Sequence, residues 1–129
     1  MDNNILCTFE QSQILKRLGF NKECNRFYNN GRLSPAIKFR NHNDKQFAVS
    51  APSVTTSAAF LREELGVDLV VSPRFNSKTG DRIGYFWRWA QRTDVIDNKT
   101  YKAFDKALSA GISKVLEPFK EYYQNNENS

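Results

Sequence analysis

The sequence predicts an α+β fold in which one antiparallel sheet of four or five strands packs against two or three helices. Two observations predict this class: apolar residues recur at helical spacing in three segments, and shorter segments between them alternate apolar and polar residues as strands do. The clearest boundary is Gly66, where a helical pattern ends directly before an apolar strand. The predicted order is approximately α-β-β-(β)-α-β-β-α.

Length and composition are those of one globular domain. The chain has 129 residues, of which 40% are hydrophobic and 13% aromatic, enough for a core without disulfide or metal support. We expect a single domain over residues 1–123 and a disordered polar tail over 124–129. The sequence contains neither a long apolar run nor a signal-peptide pattern, so we expect a soluble, cytoplasmic protein without a membrane partner.

Cysteine and histidine are scarce. Cys7, Cys24 and His42 are the only residues of these types and cannot supply a four-ligand zinc site. We therefore expect no metal and no cofactor, with both cysteines buried as reduced thiols. His42 lies in a polar segment, where we expect it to be exposed to solvent.

The first helix is predicted by its ends. Thr8 and Gln11 form a T-x-x-Q capping box. Gly19 ends the segment after an apolar stripe made of Ile14, Leu15 and Leu18.

The next segment predicts a hairpin. One strand covers residues 26–28, the turn covers 29–31 and the second strand covers 36–40. In the second strand Lys38 and Arg40 alternate with apolar residues, so we expect a basic, solvated face. A short strand over 46–50 precedes the second helix.

The central helix begins after Pro52 and Ser53 and has an apolar stripe made of Val54, Ala58, Leu61 and Leu65. An apolar strand over 67–71 follows it. We expect residues 73–83, which hold Arg74, Lys78 and Arg82, to form a long hairpin loop.

A strand over residues 84–90 follows this loop. It carries Tyr85, Trp87 and Trp89 on one face, and we expect these rings to pack in the core. Phe86 and Arg88 then lie on the uncovered face, beside Lys38 and Arg40 of the same sheet.

A last helix is predicted from Thr100. Its apolar residues recur at spacings of three and four, namely Tyr101, Phe104, Leu108, Ile112, Val115 and Phe119. Pro118 should kink or end it, and the residues beyond should fray.

Positive charge is concentrated in the predicted strands and loops. Residues 25–46 and residues 74–92 each hold five basic residues and one acidic residue, whereas the whole chain carries +5. The rest of the chain is therefore net acidic. This distribution favours an anionic partner.

Several segments resemble small proteins encoded by phages and mobile elements of Bacteroides-type bacteria. These segments are CTFEQSQILKRLGF followed by Cys24 and Tyr28, SAP opening a helix that ends in LREELG, and TYKAFDKALSAGISKVLE. The resemblance implies an α+β fold and a phage or mobile-element origin. It implies no catalytic residues.

The leading functional hypothesis is a non-enzymatic accessory protein that binds a small phosphorylated, nucleotide-like ligand, for example to sequester a host defence signal. Arginine forks match phosphate oxygens and aromatic rings stack on bases. The candidate binding residues are Tyr28, Lys38, Arg40, Arg74, Lys78, Arg82, Phe86 and Arg88. For each of them the alternative is a solvated basic surface.

Two other functions stay open. A basic and aromatic sheet face is also suited to nucleic acid, and exposed strand edges are suited to a host protein, a phage assembly or a second copy of the chain. We expect no enzyme, because no serine or threonine has a histidine partner nearby in sequence and no glycine-rich phosphate loop is present.

Overall fold

The structure, a computed structural model, describes residues 5–127. Its elements are, in chain order, α1 (Phe9–Arg17), β1 (Cys24–Asn29), β2 (Arg32–Arg40), a 3₁₀ turn (His42–Asp44), β3 (Ala48–Ser50), α2 (Val54–Leu65), β4 (Leu69–Phe75), β5 (Arg82–Trp89), β6 (Arg92–Ile96) and α3 (Phe104–Glu127). The α+β class is confirmed, and the element order broadly matches the prediction.

The strands form two antiparallel sheets where the sequence analysis predicts one. The first has the order β2-β1-β3 and the second the order β4-β5-β6. The prediction of one sheet is wrong because, among the described residues, β2 and β3 pair only with β1, and no strand of this set pairs with β4, β5 or β6. Strand β5 is likewise flanked by β4 and β6, with a further antiparallel bridge between Tyr85 and Tyr101.

The described residues group into two compact units. Unit one contains Ile5 and residues 54–115, and unit two contains residues 6–53 and 116–127. Sheet β4-β5-β6 therefore belongs to unit one and sheet β2-β1-β3 to unit two. Helix α3 contributes residues 104–115 to unit one and residues 116–127 to unit two.

Helix α1 begins and ends as predicted. The side chain of Thr8 accepts from the amide of Gln11 at 3.1 Å, and the Gln11 side chain accepts from the amide of Thr8 at 2.9 Å. At the other end the amide of Phe20 donates to the carbonyl of Leu15, and the Phe20 side chain is buried. The two ends thereby satisfy backbone groups that a short helix otherwise leaves unpaired.

The β1–β2 hairpin closes through Asn30 and Gly31, which both have positive φ, 52° and 81°. Positive φ at both central residues is the requirement of the two-residue turn that matches the natural twist of the strands. Asn29 accordingly pairs with Arg32, and β2 begins four residues earlier than predicted.

His42 is buried rather than exposed, so the sequence expectation is wrong. Its ring stacks on Phe27 with centroids 4.7 Å apart, and its Nε2 lies 2.9 Å from the carbonyl of Cys24. The Asn43 side chain holds the turn by donating to the carbonyl of Phe20 and accepting from the amide of Ser50. These contacts hold the His42 side chain inside the protein, although the sequence around it is polar.

Strand β6 was missed by the sequence analysis. The turn before it, at Ala90 and Gln91, contains none of the usual turn residues. Contacts with Asp68 hold this turn in place of local turn residues. The Gln91 side chain accepts from the amide of Asp68 at 2.8 Å and donates to the Asp68 carboxylate. The amide of Ala90 donates to the carbonyl of Asp68. The turn is therefore held from outside its own sequence.

Helix α3 continues through Pro118 to Glu127, so the described part of the predicted tail is helical. The predicted break did not allow for contacts within unit two. Lys120 pairs with Glu10 at 2.8 Å, and the guanidinium of Arg17 lies 4.9 Å from the ring centroid of Tyr123. These contacts tie the last turns to α1. Residues 128 and 129 of the predicted tail lie outside the described residues.

Within residues 5–127, no helix combines the length and apolar character needed to cross a bilayer.

Candidate ligand-binding face

The pairing of β4 with β5 gives the second sheet two chemically different faces. Leu69 pairs with Trp89 and Val71 with Trp87, so these residues share one face. Gly111 of α3 packs on that face, since a methyl group in its place would lie 3.2 Å from the Trp87 ring. Trp87 is 5% exposed, which confirms that the tryptophan face of β5 is the one packed against a helix.

The opposite face combines apolar and basic residues. Ser72 pairs with Phe86, Val70 with Arg88, and Arg88 also with Ile96 of β6. Arg88 is exposed and Ile96 is 48% exposed. We call this surface the Arg88 face; it is formed by Val70, Ser72, Arg74, Phe86, Arg88 and Ile96.

Arg74 crosses this face and holds the loop that follows β6. Its guanidinium donates four hydrogen bonds of 2.8–3.3 Å, to the carbonyls of Asp97, Asn98 and Lys99 and to the hydroxyl of Thr100. The same group lies over the ring of Phe86, 4.4 Å from its centroid. A guanidinium that is bonded through both terminal nitrogens and lies over a ring has little rotational freedom.

Gly84 makes this crossing possible. It pairs with Arg74 in the register and has a φ of +152°. A Cβ there would lie 2.5 Å from the carbonyl oxygen of Tyr101 and 2.6 Å from Cγ2 of Thr100. The close approach of residues 100–101 to β5, and therefore the hydroxyl that Arg74 reaches, depends on glycine at this position.

The loop at 97–101 is braced from a second direction. The hydroxyl of Tyr101 donates to the carboxylate of Asp97 at 2.7 Å, and that carboxylate also accepts from the amide of Lys99 at 2.9 Å. Burial opposes ionisation of Asp97, but these two donors, the Trp87 side chain and the charge of Lys99 together outweigh it, so the pKa of Asp97 lies below its ordinary value. Burial and the neighbouring carboxylate raise the pKa of Tyr101. Asp97 is thus held as an anion that anchors the loop.

Three of the residues proposed from sequence lie in unit two. Tyr28 donates its hydroxyl to the carbonyl of Cys7 at 2.7 Å and contacts Phe9 edge to face, so it is a packing residue. Arg40 pairs with Asp44 at 3.1 Å.

Lys38, the third of them, is exposed on β2. The expectation that Lys38 and Arg40 share a sheet face with Arg88 is wrong, because they belong to the other sheet.

The other five proposed residues all lie in unit one. Arg74, Phe86 and Arg88 belong to the Arg88 face. Lys78 is exposed in the loop between β4 and β5, and Arg82 is exposed at the start of β5, with its guanidinium 5.2 Å from the Tyr85 ring centroid. Of these five residues, Arg74 alone donates hydrogen bonds to the loop at 97–100, a contact that the sequence does not indicate.

The loop at 97–100 was missed as part of the surface. Its Asp97-Asn98 pair is typical of a turn, but no sequence pattern indicates which cation its carbonyls will bind. Arg92 was also outside the proposed set, although its guanidinium lies 5.2 Å from the ring centroid of Trp89.

Unit two has a cleft of about 310 Å³ between α1 and the end of α3. The charged residues that line it are engaged with one another: Glu10 with Lys120, and Arg17 with the ring of Tyr123. None of the residues proposed from sequence lines it. Because its cations are engaged, the cleft offers less to an anion than the exposed Arg88 does.

Among residues 5–127, no group of three or more His, Cys, Asp or Glu side chains is arranged to hold a metal ion. Comparison with known proteins finds no match among protein-family models, curated proteins or solved structures. The proposals below therefore depend on the chemistry of the described residues, and for origin on the sequence resemblance alone.

Proposed function

We propose that this chain is a non-enzymatic binding protein that holds an anionic, phosphorylated ligand of the nucleotide type on the Arg88 face. The observation that carries the proposal is the exposed Arg88 beside the Phe86 ring, on the face of the sheet opposite Trp87. Arg88 offers a guanidinium for phosphate, and the Phe86 ring with the Arg74 guanidinium over it offers an aromatic and cationic surface for the base.

The charge around this face supports the proposal. Lys78 and Arg82 are exposed at the β4–β5 end of the same unit. Exposed cations attract a polyvalent anion from solution and speed its association. We also propose, from the sequence resemblance, that the protein is a phage or mobile-element product that acts in the host cytoplasm by sequestering such a ligand.

The test is calorimetric titration of the full chain with AMP and ATP at low ionic strength. The decisive variant is Arg88→Gln, and the control is Arg32→Gln, which makes the same change at an exposed arginine of the other sheet. Losing one exposed ionic contact, worth about 1 kcal/mol, should weaken binding about 5-fold in the first variant only. No binding by the unaltered protein, or equal loss in both variants, would contradict the proposal.

A protein-interaction role is the second candidate, favoured by exposed aromatic residues in unit two. Phe39 and Phe47 are 63% and 73% exposed. The loop that carries Phe47 is held by Lys16, whose ammonium donates to the carbonyls of Lys45 and Ala48 at 2.7 Å each. A rigidly presented aromatic ring is typical of an interface anchor. Light scattering after size exclusion tests this role with a second copy of the chain as the partner. Self-association that Phe47→Ser abolishes would support it. A monomer at every concentration would rule out a second copy as the partner.

A further inference from the structure

The edge of the Arg74 guanidinium is already committed to the protein. Nη1 donates three hydrogen bonds to the loop at 97–100 and Nη2 donates a fourth, so Arg74 is poorly placed to offer phosphate the end-on fork made of Nη1 and Nη2. The sequence-based role of Arg74, a phosphate fork, is therefore not the role that its geometry favours.

The two flat sides of the same group are in different situations. The central carbon, Cζ, lies over the Phe86 ring, 4.4 Å from the ring centroid, so one side faces Phe86. The residue is only half-buried, and the three hydrogen bonds from its Nη1 atom lie in exposed surroundings. Guanidinium planes stack on aromatic rings and on nucleobases. The exposed part of this half-buried residue is then the side of the guanidinium turned away from Phe86, called the upper side here.

We infer that this upper side of Arg74 is the stacking platform for the base of the ligand, while Arg88 holds its phosphate. This inference rests on the proposed function and narrows it, because the ligand must then carry an aromatic base. Phe86 and Arg88 lie two residues apart on one strand, which separates them by roughly 7 Å. A nucleotide places its base and its phosphate a similar distance apart.

Recognition of this kind tolerates different bases. The hydrogen-bonding edge of Arg74 faces the loop, so the platform presents a surface without a donor pattern that reads a base edge. Purines should bind more tightly than pyrimidines, since they offer more area for stacking. A phosphorylated sugar without a base should bind weakly.

The experiment compares AMP with ribose 5-phosphate, which carries the same phosphate and sugar without the base. Titrations of the full chain at one ionic strength should give ribose 5-phosphate an affinity about 5- to 100-fold weaker than that of AMP, the range expected for one stacked base. Arg74→Lys keeps the charge but removes the plane, and should bring the two affinities within about 2-fold of each other. Arg88→Gln should weaken both ligands by the same factor.

The ratio of the two affinities within one variant does not depend on the fraction of protein that is folded, so a less stable Arg74→Lys protein still gives a decisive result. Equal affinities of AMP and ribose 5-phosphate in the unaltered protein, both reduced by Arg88→Gln, would overturn the stacking inference and leave the proposed function standing. Failure of both ligands to bind would overturn the proposed function itself.

The same chemistry is present in a free nucleotide and in a single strand. A short oligothymidylate and a matched strand with abasic positions distinguish these sources. A strand that binds more tightly than the mononucleotide, with an affinity that falls steeply as salt rises, identifies single-stranded nucleic acid as the source. An abasic strand that binds as tightly as the normal strand would overturn the stacking inference for that ligand.

Discussion

Replacing Gly84 with alanine tests the geometry on which the Arg88 face depends. The added Cβ would lie 2.5 Å from the carbonyl oxygen of Tyr101 and 2.6 Å from Cγ2 of Thr100. The carbonyl has little room to move, because Tyr101 and Tyr85 exchange two backbone hydrogen bonds of 2.8 Å. The substitution must either break this bridge or displace β5.

Two terms set the size of the effect. Alanine at a φ of +152° enters a region that only glycine visits freely, which costs roughly 1–3 kcal/mol. Overpacking against backbone that resists displacement costs about another 1–3 kcal/mol. The expected loss of unfolding free energy is therefore about 2–6 kcal/mol, a large share of the roughly 5–15 kcal/mol that a domain possesses.

Urea denaturation followed by circular dichroism measures this loss, and Gly80→Ala is the matched control. Gly80 also has a positive φ, +78°, but nothing lies within 4 Å of its would-be Cβ. It should therefore lose only the backbone term, about 1–2 kcal/mol. Equal losses in the two variants would refute the argument that residues 100–101 press against Gly84.

Three further predictions concern Arg74, Cys24 and Pro118. Arg74→Lys cannot reproduce a forked set of hydrogen bonds, so the free energy of unfolding should fall by about 1–2 kcal/mol. Amide hydrogen exchange should also accelerate at residues 97–101. Unchanged exchange there would contradict the conclusion that Arg74 holds this loop. Burial raises the pKa of the Cys24 thiol from 9.0 to about 11, so the folded state keeps a proton that the unfolded state loses, and stability should decline as pH rises from about 9 towards 11. The urea midpoint of Cys24→Ala should decline less over that pH interval. Equal declines in the two proteins would count against Cys24 as the source of the pH dependence. Pro118 lies inside α3, where proline costs up to about 3 kcal/mol relative to alanine; Pro118→Ala should therefore raise the urea midpoint, and a lower midpoint would mean that the ring packs in a way alanine cannot replace.

Local sequence signals predicted most of the elements. The capping box at Thr8 and the turn at Gly31 are complete within a few residues. The sequence therefore placed the beginning of α1 and the turn of the first hairpin closely. The alternation in β5 also predicted correctly that Trp87 is buried and Arg88 exposed. Each of these features depends on contacts between near neighbours in the chain, and this is why the sequence sufficed.

Features held by distant residues were missed or misplaced. The turn before β6 depends on Gln91 and Asp68, which are 23 residues apart, and the orientation of His42 depends on the ring of Phe27 and the carbonyl of Cys24. The last turns of α3 are helical beyond Pro118 although the local sequence favoured fraying, because α1 supplies partners.

The sequence by itself determined the class of the fold, the positions of α1 and α2 and the concentration of basic residues near the strands, since all three follow from local periodicity and composition. Only the tertiary structure decided how the strands divide into two sheets and what Arg74 does. Strand pairing depends on which segments, often far apart in the chain, lie beside each other in the fold. In this protein β3 pairs with β1 and β6 pairs with β5, and neither pairing could be assigned from the sequence. Arg74 donates to three backbone carbonyls 23–25 residues away. A backbone carbonyl has the same chemistry at every position, so the residue types in the sequence do not indicate which loop an arginine will hold.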